Sequence, residues 1–341
     1  MRPILHIHRK PMGAQVSIER LFSHLRSELT SVEVRVHQSP YPSRGLLGRL
    51  RNLLAVRRAA KGCLAHVTGD VHYLSLGLPR KSSILTIHDC AVLHRLNGIR
   101  REVLRLLWFA WPVARASAVT TISEATLRDL KSWVSSRHWH KLRVIPNCVD
   151  PGFQHTPKDW NWNSPVFLQV GTGWNKNLEG VIEAFKGLPC RLRIIGPVSE
   201  KQKELLHDSR IDHQCLGRVS DEDLIHAYRD CDALIFVSLV EGFGLPILEA
   251  QMTGRPVITS NCSSMPEVAG DGALLVDPKQ PTEIRRAVER MISDPTLRQD
   301  LIRKGTQNVS RFSAATVAAK YLELYQEVEL EQASSAHSTA S

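Results

Sequence analysis

The sequence predicts an α/β chain built as two Rossmann-like, doubly wound parallel-sheet domains. Three observations lead there. Apolar runs of strand length alternate with segments of helical period along the chain. The alternation restarts near residue 165, after a stretch rich in Pro, Gly and polar residues. The length, 341 residues, exceeds what one hydrophobic core usually serves, so two domains of about 150 residues are favoured.

In the first half, strands are expected at "PILHI", "VEVRVHQ", "LAHVTG", "SILTIHD", "AVTTIS" and "LRVIPN", mostly β-branched and aliphatic runs bounded by turn formers. Helical period places helices at 17–29, 46–61, 101–114 and 124–134. The stretch "VDPGFQHTPKDWNWNSP" breaks both periods and reads as a linker, giving domains 1–155 and 156–312. The second half repeats the alternation through "PVFLQVG", "CRLRIIGP", "HQCLG", "DALIFVS", "RPVITS" and "ALLVDP". The segment 313–332, with "AATVAAKYLELYQEVELEQ", is expected as one helix packing back towards the N-terminal domain, and 333–341 as a disordered tail.

Composition is that of a soluble globular protein, 43% hydrophobic and 23% charged. The seven cysteines stand singly with no CxxC pair, which supports neither a zinc site nor a disulfide framework and fits a reducing cytosol. No apolar run reaches signal-peptide or transmembrane length. Charge is divided unevenly: residues 1–150 hold 24 Lys/Arg against 9 Asp/Glu, a net +15, and residues 151–341 hold 20 against 25, a net −5. A basic half suits an anionic membrane, an acidic acceptor or nucleic acid, and a merely solvated basic surface equally well. Within it, residues 44–61 set Leu46, Leu47, Leu50, Leu53 and Leu54 at helical spacing beside Arg49, Arg51, Arg57 and Arg58. That pattern fits a helix lying on an anionic bilayer and also a helix docked on the sheet with a basic outer face.

The densest chemistry lies in "EGFGLPILEA", residues 241–250, between a strand and a helix. Pro246 suits a first helical turn, and Gly242 and Gly244 let backbone approach a ligand. The helix start directs amides and the positive end of its dipole at that ligand, so a diphosphate is the natural guest. Glu241 and Glu249 would then accept from sugar hydroxyls on either side of it. A βα turn with solvent-facing acids is the alternative.

Together with "GRPVITSNCSSMPEVAGDGALLVDP", this segment resembles the donor-site signature of retaining glycosyltransferase family four. Residues 166–278 are similar to the family almost continuously, through "VFLQVGTGWNKNLEGVIEAF", "LRIIGP" and "LGRVSDEDLIHAYRDCDALIFVS". "TIHD", "TISEAT" and "VIPNCVD" extend the likeness into the first half. The resemblance implies a GT-B fold, two Rossmann-like domains facing across a cleft, and a hexose such as mannose or glucose moved from a UDP- or GDP-linked donor. The acceptor would be a saccharide or lipid-linked glycan, in bacterial surface polysaccharide or lipopolysaccharide synthesis. The setting would be cytoplasmic, peripheral on the inner face of the plasma membrane.

The same resemblance assigns roles. Glu241 would bond the donor sugar and Glu249 the ribose, with amides of Phe243 and Gly244 facing the phosphates between Gly242 and Leu245. Lys176, framed by Gly171, Thr172 and Asn175, would neutralise the diphosphate leaving group. His88 would face the donor sugar from the end of its strand, with Asp89 and Gly13 on the acceptor side. Many members carry an arginine shortly before the lysine; "VGTGWNKN" has none, and Arg218 is the candidate second cation, or a surface arginine. Retention would follow a front-side attack with no metal, since no DxD-type motif stands where a GT-A enzyme needs one. No cofactor and no nucleic-acid partner are expected. His66 and His72 fit core, surface or site roles equally. The rival readings are a sugar-nucleotide epimerase, a glycan phosphorylase, and a non-catalytic nucleic-acid or glycan binding protein.

Overall fold

The structure is a computed structural model that describes residues 1–10, 17–43, 45–80 and 82–338. It divides into two units, Met1–Cys148 with Ala314–Ser341, and Val149–Ser313. The first unit's sheet comprises β1 (Ile4–His8), β2 (Val34–Gln38), β3 (Leu64–Val67), β4 (Ser83–Ile87), β5 (Ala118–Thr121) and β6 (Leu142–Val144), in the order β2-β1-β3-β4-β5-β6. The second comprises β7 (Val166–Val170), β8 (Arg191–Ile195), β9 (Asp212–Gly217), β10 (Ala233–Phe236), β11 (Val257–Ser260) and β12 (Ala273–Val276), in the order β12-β11-β10-β7-β8-β9. Every pairing of these strands is parallel. Each run read as a strand forms one of them; the central strands, buried on both faces, need no polar alternation, whereas the edge strands β2 and β9 are largely exposed.

In the first unit one sheet face, with Leu5, Ile7, Val67, Leu85 and Val119, enters an apolar core. The other face begins as an apolar row of Ile4, Leu64, Ile84 and Ala118, covered by the helices Ser17–Glu28 and Ala314–Ser338. The latter helix continues to Ser338, past Gln332 where its periodic pattern ends; "ASSAHS" holds no Gly or Pro to stop it. The next row up the strands is polar and buried. His66 Nδ1 lies 2.8 Å from the Tyr325 hydroxyl and its Nε2 2.8 Å from Thr86 Oγ1, while His6 Nε2 is 3.0 Å from the same tyrosine. Thr86 Oγ1 continues to Thr120 Oγ1 at 2.7 Å. His8 Nδ1 meets Thr68 Oγ1 at 3.0 Å, and Arg26 donates to His8 Nε2 at 3.2 Å.

These imidazoles are held neutral. Burial takes His66 down to about 3, with His8 and His88 adding to the effect. Burial and then Arg26 take His8 to about 4, and burial takes His72 to about 4 against the opposing pull of Asp70. Each titrates near 6.5 when unfolded, so between that value and the folded value the unfolded chain binds more protons. Stability is full above about pH 6.5 and falls below it by about 1.4 kcal/mol per histidine per pH unit, until each folded value is reached. Urea midpoints are therefore expected to drop sharply between pH 7.5 and 5.5; an unchanged midpoint would refute the neutral network.

His72 also settles a local problem. The expected helix 101–114 forms as helices Gly98–Leu104 and Trp111–Arg115 joined by a π-helical stretch, Arg105–Ala110. Pro112 has no N–H for the Trp108 carbonyl four residues earlier, and His72 Nδ1 donates to that carbonyl at 3.0 Å.

The helix Leu46–Ala59 turns four of its five leucines outward, while Leu53 packs against the core. Leu46, Leu47, Leu50 and Leu54 are 56–78% exposed, whereas Asn52 and Val56 are buried. Asn52 gains this place through its side chain, which accepts from Tyr41 N at 3.1 Å and donates to Tyr41 O at 2.9 Å.

The irregular stretch 149–165 belongs to the second unit, which begins at Val149 rather than at the expected boundary near 155. Asp232, whose side chain is 1% exposed, gathers it: one carboxylate oxygen takes Lys158 Nζ and the Asn161 amide at 3.0 Å, the other the Val166 amide at 2.8 Å.

Candidate active site

The site residues of the second unit come from two neighbouring strands. Strands β7 and β10 pair directly, so the loops at their carboxyl ends meet. After β7 the chain turns at Gly171, whose φ of +90° favours glycine. A Cβ there would stand 3.0–3.3 Å from the Lys176 stem, so glycine also gives the lysine its lane. A 3-10 turn, Trp174–Lys176, then raises Lys176. Its ammonium lies 2.7 Å from Glu241 Oε1 and 4.5 Å from the centre of the Phe236 ring. Asn175 Nδ2 donates to the same carboxylate oxygen at 3.1 Å, and its carbonyl accepts from Leu239 N at 2.7 Å. Thr172 donates its hydroxyl to the Pro197 carbonyl and so pins the loop from below. The resemblance thus names residues that the structure brings into contact across 65 positions of sequence.

Glu241 is held by its backbone as well. Ser263 Oγ accepts from Glu241 N at 3.1 Å and donates to Glu241 O at 2.6 Å, while Ser264 Oγ lies 3.0 Å from that carbonyl and 2.7 Å from Phe243 O. Neither serine was singled out in the sequence, although both stand in the quoted "SNCSSMPEVAG". Gln169 was missed too: its side chain donates to the carbonyls of Gly171 and Lys176 at 3.2 and 3.1 Å. A lone glutamine inside the apolar run "VFLQVG" was the available signal.

Past Glu241 the half-buried Gly242 leads to Phe243, buried against the Phe312 ring at 5.8 Å. Gly244, at φ +111°, caps the helix Leu245–Thr253, with Leu245 and Pro246 in its first turn. The first amides of a helix lack intrahelical acceptors, and the dipole adds positive potential there. One turn on, Glu249 Oε2 accepts from the Tyr228 hydroxyl at 2.6 Å. Burial, with the carboxylate beside it, pushes Tyr228 well above its ordinary value, which keeps the phenol a donor.

Other candidates lie elsewhere. Arg218 is exposed after β9, two strands from β7, in a shallow pocket of about 420 Å³ lined also by Arg193, Asp223 and Asp230. None of Lys176, Glu241 or Glu249 lines that pocket. In the first unit, His88 stands just past β4, 7% exposed, and its Nε2 donates to the Thr68 carbonyl at 2.8 Å, leaving Nδ1 as its remaining polar atom. Asp89 is exposed and accepts from the Ala91 amide at 2.9 Å. Gly13 lies outside the described residues.

Comparison with known proteins agrees with this geometry. Residues 153–308 match the family model of the group 1 glycosyl transferases, and residues 13–153 match that of glycosyltransferase family 4. The chain is 31% identical over 170 residues to the O-antigen chain mannosyltransferase B of Escherichia coli, covering 46% of this chain and 45% of that one. It is 32% identical over 240 residues to the serotype-specific mannosyltransferase WbdA of Escherichia coli, covering 61% of this chain and 29% of that protein. The matches thus span less than half the length of these curated relatives. Sucrose-phosphate synthase from Thermosynechococcus elongatus, 18% identical, superposes with a TM-score of 0.79 over 97% of this chain and 100% of its own, which gives the fold as GT-B. With residues 13–153 and 153–308 matched in turn, the chain belongs to the group 1 glycosyltransferases of family four.

Proposed function

We propose that the chain transfers a hexosyl unit, with mannose the first to test and glucose the second, from a nucleotide-sugar to a saccharide or lipid-linked acceptor. The reaction runs with retention and without a metal, in the assembly of bacterial surface polysaccharide or lipopolysaccharide. The names of both Escherichia coli relatives support mannose. The observation that carries the reading is the Lys176–Glu241 pair at 2.7 Å beside the start of the helix Leu245–Thr253.

Without donor, each member of that pair satisfies the other. A diphosphate at the helix start draws Lys176 towards the leaving oxygen and frees the Glu241 carboxylate for sugar hydroxyls, so donor binding exchanges one ion pair for two productive contacts. Glu249 takes the ribose. The backbone around Gly171 and Thr172 lines the phosphate side, and His88 and Asp89 serve the sugar and acceptor. As the anomeric bond breaks, the leaving phosphate oxygen accepts the acceptor proton on the same face, which preserves configuration.

Incubation with GDP-mannose, UDP-glucose and a panel of glycan acceptors is expected to release nucleoside diphosphate and form a product whose anomeric proton shows retention by NMR. EDTA is expected to leave the rate unchanged. An isomerised nucleotide-sugar would mean an epimerase, dependence on inorganic phosphate a phosphorylase, and no turnover or nucleotide binding a binding protein.

A second reading concerns location. The exposed leucines of the helix Leu46–Ala59 fall within about 100° of arc, opposite the buried Asn52 and Val56, with Arg57 and Arg58 on the same outer side. Ile99, Val103 and Trp111, 80%, 49% and 49% exposed, extend the apolar surface of this unit beside Arg100. Among the described residues no helix is long and apolar enough to cross a membrane. This surface supports peripheral attachment to an anionic bilayer, with leucines in the acyl boundary and arginines at the headgroups. Cosedimentation with phosphatidylglycerol vesicles at low salt is expected, and is lost on Leu46→Asp/Leu50→Asp. Wild type that stays in the supernatant refutes it.

A further inference from the structure

We propose that Tyr228 is a positioning residue for nucleotide recognition, its hydroxyl holding the Glu249 carboxylate in the orientation that meets the ribose. The proposal rests on the donor-site reading, in which Glu249 addresses that sugar.

Tyr228 is fully buried on the helix Asp221–Asp230, next to the helix that carries Glu249. Its ring is fixed edge-on against Phe153, centroids 5.3 Å apart and planes at 88°. Its carbonyl accepts from Arg255 Nε at 3.1 Å, which fixes the backbone behind the ring. The hydroxyl therefore has a set position, 2.6 Å from Glu249 Oε2 and 3.4 Å from the Pro246 carbonyl. The shorter contact is the dominant one, a charge-assisted bond of the strong kind.

A glutamate on a helix surface has three rotatable bonds, and freezing them on binding costs part of the affinity the carboxylate supplies. Fixing Oε2 in advance removes that cost and holds the carboxylate ready for two adjacent hydroxyls. The ribose presents two such hydroxyls. Tyr228 thus acts on nucleotide affinity and on discrimination between ribose and deoxyribose, without touching the nucleotide or the reacting bond.

The test is a cycle on the intact chain by calorimetry with UDP, GDP and the 2′,3′-dideoxy form of whichever binds. Tyr228→Phe keeps the ring that packs on Phe153 and removes only the hydroxyl. It is expected to weaken the ribonucleotide about tenfold and the dideoxy nucleotide less than about twofold. In turnover the donor KM rises while kcat holds. Equal weakening of both nucleotides would show a packing defect and overturn the proposal, as would an unchanged ribonucleotide affinity. Glu249→Gln separates the two levels. If it weakens the ribonucleotide while Tyr228→Phe does not, only the tyrosine's role fails; if it leaves binding unchanged, the donor-site reading fails with it.

Discussion

Lys176→Ala is expected to lower kcat by about 10²–10³-fold while changing donor KM much less, the signature of a group that meets charge formed in the transition state. The ammonium stands 2.7 Å from the Glu241 carboxylate, so moving to a bound diphosphate exchanges one anion for another and gains little in the ground state. Its larger effect must come when the leaving diphosphate gathers charge. The departure of this chain from its family sharpens the expectation. With no arginine just before Lys176, and with Arg218 exposed in a pocket of its own, the proposed reaction places the leaving-group charge on Lys176 and the start of the helix Leu245–Thr253. Initial rates at saturating donor decide it. A kcat within about threefold of wild type would make Lys176 a ground-state ligand only.

Asp232→Ala is expected to cost about 2–3 kcal/mol in urea unfolding, through the charge-assisted hydrogen bonds it removes. Its carboxylate serves Lys158 and two backbone amides from a position 1% exposed. Removal takes the shared acceptor from Lys158 and from the Asn161 and Val166 amides, and frees the stretch 149–165 from the sheet it precedes. Asp232→Asn keeps one oxygen and is expected to lose less. A cost below about 1 kcal/mol would mean that water replaces the carboxylate.

Both expectations draw on features of different legibility. The strands were readable because burial on both faces writes itself as an uninterrupted apolar run. The turn at 241–250 was readable because Gly, Pro and Glu act there within ten residues. What escaped acts across distance. The His66–Tyr325 contact joins positions 259 residues apart, and no local pattern reports it. Tyr228 gives no local signal, because its hydroxyl works on a neighbouring helix. Arg218 sits at a loop whose spatial order in the sheet, two strands from Lys176, the sequence does not encode locally. In the helix Leu46–Ala59 the leucine stripe fitted a bilayer-facing and a sheet-docked helix equally, and the hydrogen bonds of Asn52 show which side turns in.

The return of Ala314–Ser338 to the first unit has a consequence for synthesis. The ribosome delivers the first sheet well over a hundred residues before the helix that supplies Val317, Tyr321 and Tyr325 to its open face. During that interval the histidine and threonine row has no tyrosine hydroxyl to meet, and the neighbouring apolar row stays uncovered. The second unit is contiguous and is able to close first. The first unit is thus the part that chaperones would shelter, and the helix Ala314–Ser338 is the one that ends the wait.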